Sequence, residues 1–120
     1  MLIKAVAVCF FVVLIACGPS KKAKHQQMIA DAAYDSTVGS EAITKSDCFT
    51  CHTISEKLIG PSFIDIAVKY EPTDANITKL TDKIINGGFG PWGNTPMTPH
   101  PRLSKAAAEA MVKYILLLKK

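Results

Sequence analysis

Cys48-Phe49-Thr50-Cys51-His52 constrains this chain more than any other stretch of its 120 residues. C-x-x-C-H is the attachment signature of c-type haem. Two thioethers three residues apart join both vinyl groups of one porphyrin, and the histidine that follows is held against the ring face, where its imidazole can take the proximal position on iron. Three other readings compete. A thioredoxin-like C-x-x-C should follow a buried strand, and nothing upstream of Cys48 has that pattern. A zinc site needs further ligands, and the remaining histidines, His25 and His100, are isolated in spacing. A disulfide across two residues is strained and leaves His52 without a role. The haem reading gives each residue a chemical task and is preferred.

The first seventeen residues point to export. Lys4 precedes an uninterrupted apolar run from Ala5 to Cys17, too short to span a bilayer as a helix and shaped like a secretory signal. Leu14-Ile15-Ala16-Cys17-Gly18 resembles the lipobox of bacterial lipoproteins, which implies cleavage after Ala16 and a lipid on Cys17. An uncleaved anchor, or an ordinary signal with an incidental cysteine, is the alternative. On the lipoprotein reading residues 1–16 are a signal peptide that takes Cys9 with it. Cys48 and Cys51 are then the cysteines left for the mature domain, on the side of the membrane where bacterial c-type haem is attached.

The remainder is one domain. The length leaves no room for a two-domain enzyme. The formal charge of +4, from 14 basic and 10 acidic residues, is interspersed without a long basic block, so nucleic acid is not an expected partner.

Past the haem motif, Lys57 to Phe63 contains Gly60-Pro61, and Ile84 to Pro99 contains Trp92-Gly93-Asn94-Thr95-Pro96-Met97. With C-x-x-C-H, this ordered series resembles class I bacterial cytochromes c, of the cytochrome c-551 type, over residues 41–120. The resemblance implies an all-α fold of about four helices packed around one covalently bound haem c, and single-electron transport rather than enzymatic catalysis. It also implies that the carbonyl of Pro61 orients His52, and that Trp92 packs on the haem and hydrogen-bonds a propionate.

Residue chemistry singles out Met97 as well. It lies in a proline-rich loop, Pro96-Met97-Thr98-Pro99, unlike a helical core methionine, and its soft thioether suits the second axial position of an iron that shuttles one electron. Met28 lies in a polar segment, and Met111 stands at helical spacing with Ile115 and Leu118, where packing is its expected role. Pro61 offers a carbonyl with no competing N–H to a ligand histidine. Trp92 could equally be a core aromatic that needs some partner for its N–H. His100, three residues past Met97, is either a solvated loop residue or close enough to the Met97 loop to influence it.

Helical periodicity predicts a short first helix from Gly39 to Asp47, a second from Phe63 to Tyr70, and a third capped by Asp74 and stopped at Gly87-Gly88. The last is capped by Ser104 and stapled by Leu103, with Ala108, Met111, Tyr114 or Ile115, and Leu118 inward. In the resembled family the first and last helices cross beside the haem with an aromatic from the first; here Ile43 stands near that place, with Tyr114 as the aromatic from the last. No alternating strand pattern is evident. Residues 17–40 read as a lipid anchor and flexible linker, which as a coil spans roughly 25 Å on average and about 80 Å at full extension.

The expected function is a membrane-tethered single-electron carrier in the bacterial periplasm or cell envelope, with redox proteins as partners and no small-molecule substrate. Two alternatives share the haem: a subunit of a larger oxidase or reductase complex, and a haem peroxidase or gas sensor with a displaceable sixth ligand.

Overall fold

The computed structural model describes residues 21–119. The expected signal peptide, residues 1–16, and the expected lipid anchor Cys17 lie outside the described residues, as do the side chains of His25 and Met28. Four α-helices follow in order: α1 (Lys21–Thr44), α2 (Phe63–Lys69), α3 (Asp74–Asn86) and α4 (Lys105–Leu116). A 3-10 turn, Cys48–Thr50, carries the start of the C-x-x-C-H motif. Among the described residues no helix is long and apolar enough to cross a membrane.

Local chemistry explains where the helices begin and end. The hydroxyl of Ser62 accepts from the Asp65 N–H while the Asp65 carboxylate accepts from the Ser62 N–H, a capping box that starts α2. Ser104 caps α4 as expected, accepting from the Ala107 N–H at 3.1 Å. The cap of α3 is Thr73 rather than the expected Asp74: the Thr73 hydroxyl accepts from the Asn76 N–H, and Asp74 sits in the first turn, where its charge favours the helix dipole. Gly87 ends α3 at φ +66°, a conformation open to glycine.

Two further expectations need correction. The first helix does not start at Gly39; its backbone is helical from Lys21, so residues 21–40 are not irregular chain. Lysine, alanine, glutamine and methionine, all good helix formers, make up half of that segment. They are not gathered into one apolar face, which is why periodicity missed them. A β-hairpin also interrupts the all-helical pattern, with β1 (Gly88–Gly90) antiparallel to β2 (Gly93–Met97) around the two-residue turn Pro91-Trp92. Gly88 and Gly93 take positive φ to shape it.

The core lies between α4 and the other helices. Ile43, Phe63, Met111 and Ile115 form its centre, with Tyr114, Leu103 and Leu118 packed against it. Tyr70, Val112 and Leu116 extend it toward Ile77, Leu80 and Ile84 of α3. Met111 is 1% exposed, as its helical spacing predicted. Gly39 lets α1 and α4 touch: a Cβ there would strike the carbonyl oxygen of Ala110 and stand 2.7 Å from the Tyr114 Cβ. The helix crossing therefore holds Ile43 and Tyr114 as expected, with Gly39 as the contact that allows it.

Candidate haem site

Residues from every part of the domain line one cavity of about 590 Å³, within the range of pockets that hold cofactors. Cys48, Cys51 and His52 come from the 3-10 turn and the residues after it, Gly60 and Pro61 from the loop before α2, and Trp92 and Met97 from the hairpin. Much of the rest is apolar, including Ile59, Phe63, Ile66, Leu80, Ile84 and Met111. All six residues expected to touch the cofactor are thus brought to one cavity, although they span 49 positions from Cys48 to Met97.

His52 is held most firmly. Its Nδ1 lies 2.7 Å from the carbonyl oxygen of Pro61. A carbonyl only accepts, so Nδ1 carries the proton and donates it, which leaves the lone pair on Nε2. Phe63 stacks beside the ring at 5.5 Å and 21°, and Gly60 closes against it, since a Cβ there would lie 2.5 Å from Cε1. The geometry fits a metal-ligating histidine whose tautomer is set by the partner of its other nitrogen.

Cys48 and Cys51 form no disulfide, which leaves both sulfurs available for attachment. Burial, with the Asp47 carboxylate adding to it, pushes the Cys48 thiol up from its ordinary value, so the unmodified side chain favours the neutral form. Among the described residues no three His, Cys, Asp or Glu side chains gather in a set that could hold a metal ion.

Met97 ends β2, half-buried, opposite Gly88 in the ladder. Gly87 packs beneath it, because a Cβ on Gly87 would strike the Met97 carbonyl oxygen and stand 2.7 Å from the Pro99 nitrogen. Trp92 sits at the hairpin turn, 40% exposed, with the Lys69 ammonium 4.8 Å from its ring centroid.

Two features escaped sequence reasoning. The Lys83 ammonium donates to the carbonyl oxygens of Gly87 at 3.2 Å and Phe89 at 2.6 Å, tying the hairpin to the end of α3. A lysine in the last turn before a glycine stop is the signal that could have found it. The second is a contact between His100 and Asp47, with Nε2 and Oδ1 2.8 Å apart. His100 is therefore not a solvated loop residue, and its side chain is 20% exposed. That hydrogen bond, first of all, with the Asp47 backbone N–H and the attraction of His100, holds the Asp47 carboxyl below its ordinary value.

Comparison with known proteins agrees with this geometry. The Cytochrome c family profile matches residues 36–119. Cytochrome c-552 of Nitrosomonas europaea is 43% identical over 75 residues, covering 62% of this chain and 73% of that protein. Cytochrome c-551 of Pseudomonas denitrificans is 34% identical over 83 residues, 69% of this chain and the full length of that protein. The crystal structure of wild-type Nitrosomonas europaea cytochrome c552 superposes with a TM-score of 0.62 at 40% identity, covering 67% of this chain and 99% of that one. With the C-x-x-C-H motif, the cavity and these relatives together, the chain belongs to the cytochrome c family, as a class I monohaem electron carrier with one haem c attached covalently through that motif.

Proposed function

We propose that the chain is a membrane-tethered carrier of single electrons in the bacterial periplasm or cell envelope, with His52 and Met97 as the two axial ligands of the haem iron. Bound haem supplies a one-electron Fe(III)/Fe(II) couple. Cys48 and Cys51 anchor it, and Pro61 fixes the His52 ring so that Nε2 is the available donor. Met97 offers a soft thioether, which favours the reduced metal and a high potential. Trp92, at the rim, is the proposed partner of a propionate. Apolar side chains around the cavity limit the water that must reorganise when charge changes.

The single observation that carries this reading is that His52 and Met97 line one cavity together with both attachment cysteines. With Met97 on iron, the open sixth position that a peroxidase or gas sensor requires would be filled. The oxidised protein should show a sulfur-to-iron charge-transfer band, and the reduced protein should not bind carbon monoxide. Rapid carbon monoxide binding with no such band would overturn the ligand assignment.

The tether rests on the lipobox-like Leu14-Ile15-Ala16-Cys17-Gly18. With helical backbone from Lys21, the stretch of fifteen residues up to Asp35, ahead of the family match, would be a helical spacer of roughly 22 Å, at 1.5 Å per residue. Partners are redox proteins reached from the membrane surface. Intact mass of the protein from its native membrane should show one haem gained, residues 1–16 lost and acyl chains on Cys17; a mature chain that retains residues 1–16 or carries no lipid would refute the anchor.

A further inference from the structure

Met97 is the last residue of its strand, and the chain beyond it, Thr98-Pro99-His100-Pro101, must be held if the thioether is to keep its place. Prolines at 96, 99 and 101 stiffen this segment, so its position depends on where its two ends are pinned. One end is the pairing of Met97 with Gly88. The other is His100.

His100 is gripped from two directions. Its backbone N–H donates to the carbonyls of Ile84 and Ile85, both at 3.1 Å, in the last turn of α3. Its ring lies between two further oxygens, with Nδ1 3.3 Å from the Ile84 carbonyl and Nε2 2.8 Å from the Asp47 carboxylate. Both oxygens only accept, so a doubly protonated ring satisfies both at once while a neutral ring satisfies one. Asp47 directly precedes Cys48, and its carboxylate caps no helix, so the His100 contact is a pairing for which the local backbone has no use.

We propose that His100 and Asp47 form a latch that positions the Met97 loop by fastening it to the haem-attachment turn. The claim rests on Met97 as an iron ligand. The latch joins residues 53 positions apart and connects the segment that carries the attachment cysteines with the one that carries Met97. His100 and Asp47 line the same cavity but are assigned no bond to iron; they are positioning residues whose effect is on how often the loop opens.

The size of the effect follows from exposure. The Asp47 side chain is 71% exposed, so solvent and salt screen the pair, and opening should become more frequent by about two- to fivefold when it is lost. The test uses the oxidised holoprotein and the rate at which added imidazole displaces the methionine, followed through the sulfur-to-iron band. Asp47→Ala and His100→Asn should each keep the band at rest and each accelerate displacement, and the double variant should be no faster than His100→Asn alone. Asp47→Glu should recover part of the wild-type rate. Unchanged rates in both single variants, or single effects that multiply in the double, would overturn the latch while leaving Met97 as ligand. A wild type that never shows the band would instead overturn the ligand assignment and take the latch with it.

Discussion

Gly60 stands against the ring of His52 so closely that a methyl group on it would lie 2.5 Å from Cε1 and 2.9 Å from Nδ1. The glycine of the Gly60-Pro61 pair is thus as specific as the proline. Pro61 supplies the acceptor, at 2.7 Å, and Gly60 supplies the space in which the ring meets it. Gly60→Ala must displace the imidazole or the loop, and overpacking of this kind costs about 1–3 kcal/mol. Denaturant unfolding of the holoprotein should show that loss together with a perturbed His52 ring environment by NMR. An alanine variant as stable as wild type would mean that the loop yields freely.

At the crossing of α1 and α4, Gly39→Ala brings a side chain against the Ala110 carbonyl and the Tyr114 Cβ, both belonging to a packed helix rather than to a flexible tip. The two helices must part, at a cost of about 1–3 kcal/mol or more. Thermal unfolding should report it as a lowered midpoint.

Thr81 is fully buried on α3, and its hydroxyl has no hydrogen-bond partner. An unmade hydrogen bond of this kind costs about 1–3 kcal/mol, so Thr81→Val, which keeps the shape and the β-branch, should stabilise the protein by about 1 kcal/mol. Equilibrium unfolding measures it. Destabilisation would indicate that the hydroxyl is satisfied in solution.

Asp47 gives a pH dependence with a definite sign. Its carboxyl is depressed in the folded state, first by the hydrogen bond from His100, so it contributes stability above its unfolded value and loses it as pH falls through the folded one. The stability difference between wild type and Asp47→Ala should therefore be present at pH 5 and shrink as pH drops below the ordinary carboxylate value of about 3.9. The exposure of the carboxylate to solvent keeps the effect small. A difference that grows on acidification would contradict the sign.

The attachment motif, the Gly60-Pro61 turn and the W-G-x-x-P-M run were legible because each needs particular residues at particular spacings, and the structure brings them to one cavity. Ser104 and Gly87 were legible because helix ends have their own local chemistry. The hairpin was not, since both strands are largely exposed and leave no alternation to read. Gly39 carries no signal of its own, being defined by what packs on it from α4. The contact between Asp47 and His100 is set by tertiary folding alone, for no periodicity links residues so far apart.

Whether the sulfur of Met97 is bound to iron is the question on which the account turns. Methionine methyl groups labelled with carbon-13 answer it in the reduced holoprotein, because a methyl held over the haem plane is shifted far upfield by the ring current. One such resonance should appear in wild type, vanish in Met97→Ala, and persist in Met111→Ala or Met111→Leu. A shifted methyl that survives Met97→Ala and disappears with Met111 would contradict the Met97 assignment.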